Sequence, residues 1–210
     1  MADSDNRAPR GLFSCLGQAK MSAIYFITGN QNKLREARAF VPEIEAWDLD
    51  LPEIQDSEPQ PVIEAKLLAA LALGPDHPRL LVEDTGLYLG ALKGLPGPLI
   101  KWFIQKDKLG LEGLYQLTQA LHDDSAEAVT VIGYLEKTQA SQRVHYFEGR
   151  TRGRIVSPQG QAGFGWDAIF MPEGSTLRFA EMSPETKASL SMRRKAFEKF
   201  RRFLDTAPSH

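Results

Sequence analysis

Short apolar runs alternate with polar, helix-like segments along the first half of the chain. The first run stops at Thr28-Gly29-Asn30, and a segment of helical character follows, so the pattern predicts a strand, a tight loop and a helix. The strands predicted in this half are 23–27, 44–49 and 79–82, and the predicted helices are 33–40 and 62–73.

The second half continues the alternation and ends in an amphipathic segment. Beyond residue 196 the apolar Phe197, Phe200, Phe203 and Leu204 recur at intervals of three and four, which predicts a helix packed on the body of the protein. Ser183-Pro184-Glu185 is typical of a helix start. The other predicted elements are helices at 99–105 and 111–121 and two strands at 128–135 and 143–148, which are candidates for antiparallel neighbours.

Composition restricts the class of protein. The chain has 210 residues, 42% of them hydrophobic, which is enough for one globular domain over 21–210. Residues 1–20 are polar and interrupted, so we expect a flexible N-terminal extension there. The net charge of −2 argues against binding a nucleic acid polymer, and no apolar run is long enough for a membrane span. The single cysteine, Cys15, favours a reducing, cytoplasmic setting.

Familiar catalytic and ligand motifs are missing from the sequence. It contains neither a P-loop nor a dinucleotide fingerprint in a strand-to-helix context, and no hydrolytic serine elbow. The histidines share no spacing typical of a zinc site. Chemistry must therefore come from residues at the ends of the predicted elements.

Two segments suggest how an anion and a cation would be held. The loop at Thr28-Gly29-Asn30 leads into a helix whose first amides have no internal partners, and Lys33 adds a positive charge, so this junction can bind phosphate. Glu83 and Asp84 follow the buried strand at 79–82, and we expect them at its carboxyl end, where α/β sheets place ligands. Neighbouring strand residues point to opposite faces, so we favour Asp84, beside the turn, for chemistry. A turn-capping role is the alternative.

A flat ring has a candidate slot in Gly163-Phe164-Gly165-Trp166-Asp167. Two aromatic faces, two glycines and a terminal acid suit a purine, although a core strand with a glycine bulge is the alternative. Glu53, in the acidic loop 48–58, would hold a hard cation if a second carboxylate came near.

Taken together, five segments in order resemble the inosine triphosphate pyrophosphatase family. The resemblance extends from about residue 22 to 205. It rests on Thr28-Gly29-Asn30-Gln31-Asn32-Lys33, Glu83-Asp84-Thr85-Gly86-Leu87, the segment 94–103 that contains Gly94-Leu95-Pro96-Gly97-Pro98, Phe164-Gly165-Trp166-Asp167, and Lys187.

The resemblance implies an α/β fold with a long mixed β-sheet flanked by helices, in two lobes around a central cleft. It also implies a magnesium-dependent enzyme, usually a homodimer, that hydrolyses the triphosphates of inosine, xanthosine and their deoxy forms to the monophosphate and pyrophosphate. Asp84 would be catalytic, and Glu53 and Asp84 would hold Mg²⁺. The implied substrate contacts are Thr28, Gly29, Asn30, Gln31, Asn32, Lys33, Lys66, Thr85, Lys101, Phe164, Gly165, Trp166, Asp167, Lys187, Met192 and Arg193.

Two positions depart from the family's usual pattern. Its Ser-His-Arg is Ser191-Met192-Arg193 here, and the proline that usually follows the aromatic-acid pair is Ala168. The methionine removes a polar group near the expected base, so a shifted base preference is one alternative. A nucleotide-binding or sensing protein with weak or altered catalysis is another, and a structural domain without a site is the third.

Overall fold

The computed structural model describes residues 23–74, 77, 79–138, 141–159 and 165–206. Within these residues the strands are β1 (Ile24–Ile27), β2 (Ile44–Trp47), β3 (Arg79–Leu89), β4 (Pro96–Gly97), β5 (Ser125–Lys137), β6 (Gln142–Ile155) and β7 (Phe170–Pro172). The helices are α1 (Gln31–Phe40), α2 (Pro59–Leu73), α3 (Ile100–Phe103), α4 (Gly110–Ala120), α5 (Pro184–Leu190) and α6 (Met192–Thr206).

The seven strands of the described residues form one mixed sheet. Their order is β2-β1-β3-β5-β6-β7, and β4 pairs with β3. β1 is parallel to β2 and β3, whereas β5 is antiparallel to both β3 and β6. The pairing predicted for the strands at 128–135 and 143–148 is therefore confirmed, and so is the class of a long mixed sheet flanked by helices.

β3 is central in the sheet and longer than the sequence predicts. The apolar pattern ends it at Val82, before Glu83 and Asp84, but the strand continues to Leu89. It continues because β5 pairs with every residue from Arg79 to Leu89. The two acids consequently lie in the middle of a strand, and the prediction that they stand at its carboxyl end is wrong.

The opposite edge of β3 is covered only in part. β1 pairs with Leu80 and Leu81, and β4 pairs with Leu87 and Tyr88. Among the described residues no strand pairs with 83–86 on this edge. The uncovered edge, rather than a strand end, is where a ligand can approach the sheet.

The side-chain alternation of β3 divides the core into two faces. Leu81 packs with Phe197 and Phe200 of α6, and Leu80 and Val82 pack on the other face with residues of α2. Because successive strand residues point to opposite faces, Glu83 belongs to the α6 face and Asp84 to the α2 face.

Helix α5 begins where the sequence predicts, and helix α6 packs on the sheet as the sequence predicts. The Ser183 hydroxyl accepts a hydrogen bond from the Thr186 amide, and Pro184 is the first residue of α5. In α6 the apolar stripe is buried through Phe197 and Phe200. The predicted extension at 1–20 lies outside the described residues. No helix in the described ranges is long and apolar enough to cross a membrane.

Candidate functional site

A cavity of about 1060 Å³ lies against the uncovered edge of β3. Most residues that the sequence selects line it, although they come from segments far apart in the chain. Gln31, the first residue of α1, is exposed and does not line the cavity, and Phe164 lies outside the described residues. The lining includes Thr28, Gly29, Asn30, Asn32, Lys33, Glu53, Lys66, Asp84, Thr85, Lys101, Gly165, Trp166, Asp167, Lys187, Met192 and Arg193.

The loop after β1 is organised by its own side chains. The Thr28 hydroxyl accepts a hydrogen bond from the Asn30 amide at 3.1 Å. The Asn30 side chain caps α1 by accepting from the amides of Asn32 at 3.0 Å and Lys33 at 3.3 Å. An anion at this end would therefore meet a helix terminus with two amides already satisfied, and Lys33 would supply much of the attraction.

Glu83 is a fully buried carboxylate whose two oxygens are both engaged. Oε1 accepts from the Thr85 hydroxyl at 2.9 Å and lies 3.3 Å from Lys33 Nζ, while Oε2 accepts from Arg193 Nε at 2.9 Å. Burial alone would raise the pKa of Glu83, but the two cations outweigh it and lower the pKa to about 2. This side chain stays ionised and serves as an anchor.

Asp84, the next residue, has the opposite environment. Its Oδ2 is buried and has no hydrogen-bond partner among the described residues. Burial raises the pKa of Asp84, and the positive charges of Lys66 and Lys33 oppose this only in part. A carboxylate with a raised pKa and an unsatisfied oxygen facing a cavity can accept a proton or bind a cation.

Three lysines from three helices, Lys33, Lys66 and Lys101, lie at one end of the cavity, and the charges of Lys33 and Lys66 act on Asp84. The Glu53 carboxylate pairs with Lys66 Nζ at 2.6 Å and with Lys101 Nζ, and so draws α2 and α3 together. Burial lowers the pKa of Lys101, and the charge of Lys33 lowers it further. Lys66 is not a solvated residue of an outer helical face, since only 18% of its side chain is exposed. This end of the cavity thus holds three lysines that are paired with carboxylates.

Aromatic and apolar side chains form the other end of the cavity. Trp166 is only 7% exposed because its ring packs on Phe170 and Phe179, with centroids 5.3 and 6.3 Å apart. Met192 is buried in the same cluster. Asp167 accepts a hydrogen bond from Lys187 Nζ at 2.5 Å. Trp166 is therefore a fixed wall, bordered by an ion pair.

Arg193 connects this wall to the buried acid on β3. Its Nε donates to Glu83, and its Nη1 donates to Glu36 Oε2 at 2.8 Å. Nη2 makes no hydrogen bond within the described ranges, so its two N–H groups are left for a ligand, together with the second N–H of Nη1. The sequence reasoning missed Glu36; its position three residues after Lys33, on one face of α1, is the signal that points to it.

Fold and cavity together define an α/β protein whose cavity carries lysines at one end and an aromatic wall at the other. Comparison with known families agrees: the model of the Ham1 family matches residues 24–203. The chain belongs to the Ham1 family, and the predicted resemblance to inosine triphosphate pyrophosphatases is confirmed.

Curated relatives and solved structures match over most of their lengths. The inosine triphosphate pyrophosphatase of Schizosaccharomyces pombe is 40% identical over 190 residues, which cover 89% of this chain and 97% of the relative. That of Batrachochytrium dendrobatidis is 41% identical over 191 residues, covering 89% and 96%. The Staphylococcus aureus Ham1 protein has a TM-score of 0.73 at 26% identity, covering 87% of this chain and 98% of its own. A HAM1 protein from Coxiella burnetii has a TM-score of 0.74 at 24% identity, and the match covers 89% of this chain and 100% of that protein. This likeness shows the shared fold.

Proposed function

We propose that this protein is a magnesium-dependent pyrophosphatase for deaminated purine nucleoside triphosphates. It would convert the triphosphates of inosine, deoxyinosine and xanthosine to the monophosphate and pyrophosphate and so cleanse the nucleotide pool. The observation that carries the proposal is the buried, unpartnered Oδ2 of Asp84 beside the lysines of a cavity that has an aromatic wall at its far end. The names of the curated relatives support the same reaction.

The acidic side chains fit a hard divalent cation in their chemistry. Carboxylate oxygens are ligands that Mg²⁺ prefers, and Asp84 offers one that no other group satisfies. Glu53 would be the second ligand once a triphosphate takes over its lysine partners. The bound ion would polarise the phosphate oxygens and offset their charge. Both metal-binding roles are proposals.

Cleavage between the α- and β-phosphates needs an activated water and a stabilised leaving group. Asp84 would accept a proton from the water while the water oxygen forms a bond to the α-phosphorus. The bond between that phosphorus and the oxygen that bridges to the β-phosphate breaks. The electron pair leaves with pyrophosphate. Lys33 and Lys66 would stabilise the charge that develops there. Asp84 then returns its proton to solvent.

Base selection would arise at the aromatic end. A 6-keto purine presents an acceptor where adenine presents an amino group, so the free Nη2 of Arg193 would favour the former and meet a donor in the latter. Trp166 would border the ring, and Asp167 with Lys187 would meet its polar edge. Gly165 and Phe164, the latter beyond the described residues, are also proposed to border the ring.

Met192 favours a second candidate, a pyrophosphatase with a shifted base preference. Its thioether is buried against the cluster that contains Trp166 and offers no strong hydrogen-bond donor to a ring. Replacing it with histidine adds a donor at that point. A preference that changes between wild type and Met192→His would assign base reading to this position.

A substrate panel tests the proposed function directly. Pyrophosphate release is measured with the inosine, xanthosine, deoxyinosine, adenosine and guanosine triphosphates in the presence of Mg²⁺. Turnover of the keto purines above ATP is expected. If no keto-purine triphosphate yields pyrophosphate, the proposal fails, and tight binding without turnover would indicate a sensing protein instead. The homodimer and the cytoplasmic location stay predictions.

A further inference from the structure

Four charged side chains are linked in series by three ion pairs along the cavity wall, and the first and last of them both lie on α1. In that order they are Lys33, Glu83, Arg193 and Glu36, and we name them the ion-pair series. Glu83 contacts Lys33 at 3.3 Å and Arg193 at 2.9 Å, and Arg193 contacts Glu36 at 2.8 Å. Lys33 and Glu36 lie one turn apart on α1. The ion-pair series therefore ties α1, β3 and α6 together at one point.

Glu83 lies between the two cations of the ion-pair series. Its side chain is completely buried, whereas 20% of Lys33 and 12% of Arg193 remain exposed toward the cavity they line. A buried charge is costly to place and rarely improves stability over an apolar residue. Its two cationic partners have different proposed roles, since Lys33 would bind the phosphates and Arg193 would contact the base.

We propose that Glu83 is a positioning residue that couples the two ends of the cavity. Its carboxylate places the Lys33 ammonium for phosphate and the Arg193 guanidinium for the base at the same time. The inference rests on the proposed function, which supplies the two ligand ends. Glu83 itself does not take part in the chemistry, since its oxygens are occupied by Lys33, Thr85 and Arg193.

The hydrogen bonds to Arg193 explain the placement. A guanidinium held at Nε by the buried Glu83 and at Nη1 by Glu36 has its plane defined by two acceptors. Its two Nη2 N–H groups and the second N–H of Nη1 are then left for a ligand. Without the charge of Glu83, Arg193 keeps the exposed Glu36 alone, and Lys33 loses its only ion pair among the described residues.

The test compares wild type, Glu83→Gln and Glu83→Asp. Steady-state hydrolysis of inosine triphosphate and ATP gives kcat and KM. Calorimetry measures the binding of pyrophosphate, which probes the phosphate end, and of inosine monophosphate, which adds the base end. Glu43→Gln is the matched control, because Glu43 also pairs with an arginine of α6, Arg201, at 3.3 Å but outside the cavity.

For Glu83→Gln we expect KM for inosine triphosphate to rise about tenfold, as for the loss of a charge-assisted bond. We expect kcat to fall by a smaller factor, because Lys33 is less well placed for the developing charge while Asp84 keeps its position on the opposite face. Both calorimetric ligands should bind more weakly, and the preference over ATP should fall. Glu83→Asp retains the charge and should recover part of each loss. If Glu83→Gln does not fold, Glu83→Asp tests the proposal instead. It should then show the same weakening of substrate and ligand binding, but to a smaller extent.

Two results would overturn the coupling. In the first, a Glu83 variant binds only one of the two ligands, pyrophosphate or inosine monophosphate, more weakly than wild type does. In the second, KM and both binding affinities are unchanged in both Glu83 variants. Failure of the proposed function is distinct, because the wild type would then release no pyrophosphate from any triphosphate. In that case the two binding measurements still test whether Glu83 serves both ends.

Discussion

The two faces of β3 carry adjacent carboxylates with opposite properties. On the α6 face, Glu83 is saturated by cations and a hydroxyl, and its pKa falls to about 2. On the α2 face, Asp84 keeps an unpartnered oxygen, and burial raises its pKa. The two residues are adjacent on one strand and both are acidic. The difference therefore comes from the side chains that α1 and α6 bring to Glu83 and that α2 brings to Asp84.

This difference supports the two proposed roles, catalytic for Asp84 and positioning for Glu83, independently of any relative. A carboxylate whose environment satisfies its charge holds other groups in place, whereas one whose environment leaves it unsatisfied can take a proton or a metal. Both reach one cavity because the edge of β3 is uncovered at 83–86. Substitutions on each face should therefore have different signatures.

The largest expected effect is the loss of turnover in Asp84→Asn. The amide has nearly the same shape but cannot accept the proton, so kcat for inosine triphosphate should fall about 10³-fold while the substrate still binds. Pyrophosphate release and calorimetry measure the two properties. Asp107→Asn, on a side chain that is 76% exposed, is the control. A full rate in Asp84→Asn would remove this residue from the mechanism.

The stability contribution of Glu83 should depend on pH in the acid range. Its pKa is lowered from 4.5 to about 2 on folding, so the ionised form stabilises the fold above pH 4.5 and this stabilisation is lost as pH falls toward 2. The shift corresponds to about 3 kcal/mol.

Urea unfolding of wild type and Glu83→Gln, with a chelator present, measures that contribution. The gap in unfolding free energy should be widest near neutral pH and should close between pH 4.5 and 2. A gap that is constant across this window would show that the pKa of Glu83 is not lowered by folding.

Local patterns in the sequence predicted much of this arrangement. Residues close together in the chain determine three of these features, so a local sequence pattern is enough to predict them. They are the strand, loop and helix around Thr28 to Lys33, the start of α5, and the apolar stripe of α6. The alternation of strand residues also predicted that Glu83 and Asp84 face opposite sides.

The features that the sequence did not predict share a physical cause, because each depends on contacts between residues far apart in the chain. The length of β3 is set by pairing with β5, some fifty residues away. The bond between Glu83 and Arg193 joins positions 110 residues apart. No local pattern specifies that Glu53 pairs with Lys66 and Lys101. Sequence reasoning selected these residue types but not their partners.

Gly149→Ala should disturb the α6 face alone. A Cβ at this position of β6 would lie 1.9 Å from the Met192 carbonyl oxygen and 2.7 Å from the Ala196 amide nitrogen, so the start of α6 must move away from the sheet. We expect a loss of about 2 kcal/mol in unfolding free energy and a raised KM, because Arg193 moves with the helix.

The matched control for this glycine is Gly113→Ala in α4. There the nearest atoms belong to the flexible Leu109 side chain, and the helix gains from alanine. Unfolding free energy and KM should both stay near wild type in the control. An unchanged KM in Gly149→Ala would mean that the start of α6 does not place Arg193.

The smallest expected effect concerns the stability of Asp84→Asn without metal. Because the pKa of Asp84 is raised on folding, its ionised form costs stability, and this cost appears as pH rises through the folded pKa. Removing the charge should therefore leave the variant at least as stable as wild type near neutral pH, with an advantage that disappears in acid. Urea unfolding in a chelator measures it. This pH trend is opposite to that of Glu83→Gln, and a variant less stable than wild type at neutral pH would mean that Asp84 is as well satisfied as its neighbour.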